Sequence, residues 1–176
     1  RFFAFFSLCV TASTGIALAG NVITFFIFYE FLTLSTYPLV VHRGTDKAVN
    51  AGRTYLWYTI GGGTVLFLGV VGLFVIAGPI YFGQTEIISG LFAEKPTQLT
   101  ILFFLMLAGL GVKAALFPLH SWLPISMVAP APVSALLHAV AVVKAGAFGI
   151  VRLVYDVYGI EIADQMNLLT PLAVLA

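Results

Sequence analysis

Long, continuous apolar runs separated by short polar segments fill almost the whole chain. A helix needs about 20 mainly apolar residues to cross a bilayer. By that measure the runs predict five complete transmembrane helices and the start of a sixth, at 2–19, 22–41, 55–77, 99–117, 133–155 and from 168 onward. Apolar and polar residues do not alternate within the runs, so the pattern favours an all-α membrane bundle over a transmembrane β-barrel.

The polar segments between the runs predict how the chain is oriented. The loop at 42–53 carries three basic residues, and such residues favour the cytoplasmic side of a membrane. Alternation then places the proline-rich stretch 118–132 on the cytoplasmic side as well. The mixed, interfacial stretch 80–98 and the acidic loop 156–164 are predicted on the opposite side. The basic residues of the first loop are Arg43, Lys47 and Arg53.

Composition supports a membrane location. The chain is 61% hydrophobic and only 9% charged, whereas roughly a quarter of the residues in a soluble domain are charged. The single cysteine, Cys9, excludes a disulfide framework within the chain. The chain lacks an initial methionine and stops inside an apolar run. We therefore expect residues 1–176 to be an internal fragment of a single transmembrane domain.

Three ionisable residues fall well inside predicted helices: Glu30, Lys113 and Lys144. A charge at mid-bilayer costs at least a few kcal/mol, so each of them needs a reason. Glu30 and Lys113 have opposite charges and can pair across helices. Lys144 has no evident acidic partner within its own helix. Burial and a nearby carboxylate act in opposite directions on the protonation of a lysine, which favours proton exchange near neutral pH.

Pro118 predicts a break in the helix beside Lys113. Proline has no N–H, so it cannot bond the carbonyl of Ala114, four residues earlier. Broken helices at membrane depth occur where they are buried in protein or line a watery cavity. The freed carbonyl, Lys113 and the nearby His120 therefore resemble a proton or ion path. His138 shares a helix face with Ser134, one turn before it, and is a further candidate for that path.

Each of these residues also has a structural interpretation. A Glu30–Lys113 pair can act as a static ion pair that sets helix register. His138 can be a hydrogen-bonded packing residue, and His120 can lie at the membrane interface beside Trp122, an aromatic anchor. Tyr29 is interpreted as an ordinary packing residue rather than a functional one. No cofactor or metal is predicted, because the histidines lack ligand spacing and the chain has no phosphate loop, nucleotide fingerprint or CxxC pair.

Three motifs resemble the signature of the antiporter-like membrane subunits of complex I, Mrp-type Na⁺/H⁺ antiporters and membrane-bound hydrogenases. They are KAALFPLHSWLP at 113–124, MVAPAPVSALLH at 127–138 and VVKAG at 142–146. FYEFLTLSTYPLV at 28–40 resembles the glutamate helix of that family. Ile125 and Ser126 replace the Asp-Ala that is usual in complex I members. The chain therefore resembles the D-type subunit of Mrp antiporters more than a complex I subunit.

The resemblance implies about fourteen transmembrane helices built as two inverted repeats, a general transporter design. By matching motif, Glu30 and Lys113 correspond to the family's glutamate–lysine pair, and Lys144 continues its central polar axis. His138 matches a histidine that many members carry in the eighth helix. The implied function is translocation of protons, and of Na⁺ as a further candidate, by one subunit of a multisubunit complex in a bacterial or archaeal cell membrane. Redox chemistry would belong to partner subunits. The alternatives are a complex I or hydrogenase subunit, and a structural subunit whose charges only hold helices together.

Overall fold

Helices make up most of the backbone in the computed structural model, which describes residues 2–168, 170 and 173–174. Two π-helical segments, Leu136–Val140 and Leu153–Tyr158, lie on either side of the α-helix Val142–Arg152 and extend it in both directions. The α-helices are α1 (Phe2–Leu18), α2 (Val22–Val40), α3 (Asp46–Ala77), α4 (Thr85–Phe92), α5 (Pro96–Ala114), α6 (Trp122–Ser126), α7 (Ala131–Ala135), α8 (Val142–Arg152) and α9 (Ile160–Gln165).

Four helical stretches of the described residues are long and apolar enough to cross a membrane: α2, α3, α5 and the continuous Ala131–Tyr158. The remaining predicted span, the first in the chain, corresponds to α1, an apolar helix of 17 residues. The prediction of an all-α membrane bundle is therefore confirmed. The predicted sixth helix, from 168 onward, lies mostly outside the described residues.

Glycines let α3 and α5 pack closely side by side. A Cβ atom on Gly109 of α5 would lie 2.6 Å from the backbone nitrogen of Leu66 of α3. A Cβ on Gly62 of α3 would lie 2.7 Å from the Cβ of Val112 of α5. Close approach through small residues is a common way for helices to associate in lipid. These contacts set the relative height of the two helices, and hence the depth of Lys113.

The third helix begins at Asp46, earlier than the predicted start at 55, so the prediction of a loop through residue 53 is wrong. Thr45 caps the helix, because its hydroxyl accepts the Ala48 N–H at 3.2 Å. Asp46 lies in the first turn, where a negative charge is favoured by the helix dipole. Hydropathy alone misses this start because the first turns of α3 are polar.

The predicted break beside Lys113 is confirmed, although the helix ends at Ala114 rather than at 117. Ala115 adopts a left-handed conformation with φ of 57°. Its N–H donates to the Val112 carbonyl at 3.2 Å, and the Leu116 N–H donates to the Gly111 carbonyl at 3.0 Å. This pair of bonds is a Schellman motif, which ends the helix before Pro118 is reached.

The span Ala131–Tyr158 is less regular than the predicted helix at 133–155. In its first π-helical segment the Ala141 N–H donates to the Leu136 carbonyl, five residues back, at 2.8 Å. The predicted acidic loop 156–164 is wrong, because Asp156 belongs to the second π-helical segment and α9 follows. An ion pair of 2.7 Å between Arg152 and Asp156 stabilises that turn in helical form.

Candidate functional site

Lys113 lies in the last turn of α5 and is 1% exposed. Its Nζ donates a hydrogen bond to the backbone carbonyl of Tyr29 on α2. The same Nζ is 3.4 Å from Oε1 of Glu30. It also lies 3.4 Å above the centroid of the Tyr29 ring, a cation–π contact. Two consecutive residues of α2 therefore hold the ammonium with a carbonyl, a carboxylate and an aromatic face.

The carboxylate of Glu30 fits against α3 because position 63 is glycine. A Cβ on Gly63 would lie 2.5 Å from Oε1 and 2.8 Å from Cδ of Glu30. The Glu30 side chain is 26% exposed, whereas that of Lys113 is almost fully enclosed. The pair is thus formed at the junction of three helices, and its acidic partner is its more accessible side.

The pair lies deep within the bundle. Val112, next to Lys113, packs against Gly62 of α3. At 1.5 Å per residue, Gly62 is roughly 24 Å along the α3 axis from Asp46. Breaking a buried ion pair by removing one partner costs about 3–5 kcal/mol, since the other charge stays buried without compensation. The position of Lys113 near the C-terminal end of α5 adds a favourable interaction with the helix dipole.

Trp122 closes the broken end of α5. Its side chain is fully buried, and its indole N–H donates to the Val112 carbonyl at 2.7 Å. Its ring packs against that of Tyr55 with centroids 5.4 Å apart. The interpretation of Trp122 as an interfacial anchor is therefore wrong. The last carbonyl groups of a helix have no intrahelical partner and need other donors, and the Trp122 indole N–H supplies one.

Lys144 occupies a different surface from the Lys113 pair. It is exposed on α8 and lines a cavity of about 230 Å³ together with Ser13 and Ala17 of α1. Among the described residues, no hydrogen bond or ion pair joins it to Lys113 or Glu30. The backbones nevertheless meet close by, since a Cβ on Gly146 of α8 would lie 2.7 Å from the carbonyl carbon of Lys113.

The two histidine candidates lie outside the contacts of the Lys113 pair. His120 is exposed and stacks on the ring of Phe117, with centroids 5.8 Å apart. Pro118, between them, is exposed as well. His138 is half-buried within the π-helical segment Leu136–Val140, a type of irregularity frequent at functional sites. Roles for His120 and His138 in translocation stay predictions.

Sequence reasoning missed three residues of the site. The sequence pattern predicts a packing role for Tyr29, yet its carbonyl and ring both hold Lys113. Gly63 and Trp122 act through contacts between elements that are distant in the sequence. The one available signal is local: Tyr29 directly precedes Glu30, an acidic residue inside an apolar run, and aromatic faces attract ammonium groups.

Comparison with known proteins identifies the family of this chain. A family model described as "NADH:quinone oxidoreductase/Mrp antiporter, TM" matches residues 19–176. The chain is 38% identical over 160 residues to the chloroplastic NAD(P)H-quinone oxidoreductase subunit 5 of Spinacia oleracea, covering 87% of the chain. It is 36% identical over 160 residues to the same subunit of Populus trichocarpa. The chain spans 21% of the length of each of these relatives.

Solved structures show the same fold. The chain is similar to part of an archaeal membrane-bound sulfane sulfur reductase, with 29% identity, a TM-score of 0.77, and coverage of 88% of this chain and 32% of that one. The Mrp complex of Dietzia sp. DQ12-45-1b is similar at 25% identity and a TM-score of 0.72, with coverage of 86% of this chain and 28% of that one. Respiratory complex I of Thermus thermophilus is similar at 23% identity and a TM-score of 0.73, with coverage of 87% of this chain and 34% of that one.

The predicted family is thus confirmed, whereas the closer resemblance to the D-type subunit of Mrp antiporters stays a prediction. The curated relatives are quinone oxidoreductase subunits, and an Mrp complex is among the similar structures. This multi-pass integral membrane chain belongs to the NADH:quinone oxidoreductase/Mrp antiporter transmembrane family.

Proposed function

We propose that this chain conducts protons across a membrane as part of an antiporter-like subunit, with Na⁺ as a further candidate ion. The observation that carries the proposal is the ion pair between the buried Lys113 and Glu30 at the broken end of α5. Ionisable residues within a membrane span are costly, and they typically mark ion pathways or proton relays. Here the lysine lies where the helix stops, and a helix break at membrane depth leaves backbone groups that a path can use.

The pair acts as a switch in this proposal. While Lys113 is charged, Glu30 and Tyr29 hold it in place. Separation of the pair changes the electrostatic field at Lys144, because α8 crosses α5 at Gly146 beside the lysine backbone. Lys144 then takes up or releases a proton on the side of α8 that faces the α1 cavity. His138 and His120 are proposed as further proton carriers beyond this step.

The proposed setting is a multisubunit assembly. Relatives and similar structures belong to a quinone oxidoreductase, an Mrp complex and an archaeal respiratory membrane complex. Other membrane subunits are therefore the proposed partners, and residues 1–176 are proposed as part of a single transmembrane domain. A bacterial or archaeal cell membrane is the proposed location, supported by the archaeal complex and the Dietzia complex. The favoured parent is an Mrp-type antiporter, and the alternative is a complex I-like or hydrogenase assembly.

Replacement of the lysines tests the proposal in the full complex. We expect Lys113→Ala or Lys144→Ala to abolish proton movement into vesicles driven by an imposed Na⁺ gradient or potassium diffusion potential. Each substitution removes a group that must hold the proton in transit. Lys95→Ala is the matched control, because Lys95 is exposed at the N-terminal end of α5. Normal transport by either variant in a normally assembled complex would contradict the proposal.

A structural role for the pair is the second candidate, favoured by the number of groups that hold Lys113 in one position. The exchange of Glu30→Lys with Lys113→Glu separates the two roles. A structural pair recovers both assembly and transport when its charges are exchanged. A conducting pair recovers assembly without transport, because the proton-carrying amine then lies on the wrong helix.

A further inference from the structure

A buried hydroxyl beside the ion pair lacks a partner. Thr33 lies on α2, one turn after Tyr29, and its side chain is fully buried. Among the residues that the structure describes, its Oγ1 is the one buried side-chain nitrogen or oxygen without a hydrogen bond. Buried polar groups are nearly always hydrogen-bonded, so an exception calls for a specific explanation.

Other hydroxyls in this chain show what Thr33 would normally do. Nine helical serines and threonines donate to the carbonyl four residues earlier, at 2.7–3.1 Å. Ser35 and Thr36 on the same helix are among them. This local bond is the usual solution for a hydroxyl in a helix interior. By the same rule, Thr33 would donate to the carbonyl of Tyr29.

The Tyr29 carbonyl is already in use. A carbonyl oxygen has two lone pairs. In an α-helix one of them accepts the N–H of the residue four positions later, which for Tyr29 is the N–H of Thr33 itself. The other accepts the ammonium of Lys113. The acceptor that the Thr33 hydroxyl would use is therefore occupied by the lysine of the ion pair.

We propose that Thr33 is a positioning residue: its hydroxyl takes the place of the Lys113 ammonium as the second donor to the Tyr29 carbonyl. When the lysine withdraws from α2, the Thr33 hydroxyl rotates and donates to the oxygen that the lysine has left. Threonine suits this exchange, since in helices its side chain divides between two rotamers according to the carbonyl that it bonds. One hydrogen bond breaks and another forms, and no covalent bond changes.

The exchange lowers the free-energy cost of moving Lys113, and in this respect the inference rests on the proposed function. With Thr33 in place, the withdrawn state gains a hydrogen bond for the hydroxyl and keeps the Tyr29 carbonyl fully bonded. Without the hydroxyl, the lysine leaves behind a half-filled buried acceptor. The gain corresponds to one net hydrogen bond, which changes the equilibrium constant for withdrawal of Lys113 by a factor of about five.

Transport by the full complex in proteoliposomes gives the first test. We expect Thr33→Val, which keeps the shape of the side chain, to slow proton uptake driven by a potassium diffusion potential about fivefold. Thr33→Ser keeps the hydroxyl and is expected to stay within about twofold of the unmodified complex. Thr59→Val is the matched control, because Thr59 is also buried but donates to Tyr55. An unchanged rate in Thr33→Val, or an equal loss in Thr33→Ser, overturns the inference.

The second test is structural and does not depend on transport. Lys113→Met removes the ammonium while keeping an unbranched side chain of similar length. In an electron cryomicroscopy structure of that complex, we expect Oγ1 of Thr33 at about 3 Å from the Tyr29 carbonyl oxygen. A hydroxyl still turned away from the carbonyl overturns the inference. Normal proton uptake by Lys113→Met would instead refute the proposed function, so the two failures are distinguishable.

Discussion

At the residue scale, a single α2 turn decides the environment of Lys113. Tyr29 supplies a carbonyl and a ring face, and Glu30 supplies a carboxylate. A cation–π contact in a desolvated place is worth about 2 kcal/mol, so the ring is a substantial part of the binding. The carboxylate has room only because the neighbouring position on α3 is Gly63.

This packing makes a prediction for Gly63→Ala. The new methyl group would lie 2.5 Å from Oε1 of Glu30, so the carboxylate must move away from Lys113. We expect proton transport by the full complex to fall by at least about tenfold, as a shift of about 1.4 kcal/mol in the pairing equilibrium would give. The control is Gly61→Ala, two residues earlier, where an added methyl group meets open space. Equal transport in the two variants would show that the site does not need the observed carboxylate position.

At the element scale, α5 stops inside the bundle through a C-terminal motif rather than through proline alone. Ala115 takes the left-handed conformation, and the carbonyl of Val112 accepts both the Ala115 N–H and the Trp122 indole N–H. The indole hydrogen bond thereby ties the start of the short helix α6 to the C-terminal end of α5. The break is thus a built feature with its own hydrogen bonds, and it keeps Lys113 at a helix end.

The left-handed residue gives a stability prediction. A non-glycine residue in this conformation costs about 1–2 kcal/mol, whereas glycine adopts it freely. We expect Ala115→Gly to stabilise the folded chain by about 1 kcal/mol, and Ala115→Val to destabilise it by a similar amount. Denaturant titration of the purified full complex, monitored by far-ultraviolet circular dichroism, measures both changes as shifts of the unfolding midpoint. A stabilising Ala115→Val would contradict the left-handed conformation.

At the scale of the whole molecule, the two lysines face different neighbours. Lys113 points into the α2–α3–α5 junction, and Lys144 faces outward beside α1. Arg152 holds the C-terminal end of α8. Its guanidinium pairs with Asp156, and its Cζ lies 4.7 Å from the centre of the Phe82 ring. This arrangement ties α8 to the connection that follows α3, while its other half meets the broken end of α5. In the proposed function, a movement at Lys113 would be passed to α8 near Gly146, where the two backbones meet.

Sidedness gives a further whole-molecule prediction. The basic turn after α2 is expected in the cytoplasm and the turn before α5 outside. In intact cells, a membrane-impermeant maleimide should label Glu94→Cys and leave Arg43→Cys unlabelled. Both positions are exposed, and the native Cys9 is fully buried, so it gives little background. Labelling of Arg43→Cys from outside would reverse the predicted orientation.

Much of the architecture could be predicted from local patterns. Apolar length located the helices, because transfer of each residue into lipid depends mainly on its own side chain. The charged residues Glu30, Lys113 and Lys144 stood out for the same reason, and Pro118 marked the region of the break. Helix ends were less well predicted where polar residues continue a helix beyond the apolar run, as at Asp46 and at Asp156.

Only the tertiary structure decided how these parts meet. Hydropathy does not distinguish a helix face that touches lipid from one that touches another helix, because both are apolar. The burial of Trp122, the fit of Glu30 against Gly63 and the outward position of Lys144 depend on the register between helices. Close glycine contacts such as that of Gly109 set this register. By itself, the sequence determined that charges lie in the membrane beside a helix break, and the packing determined which groups hold them.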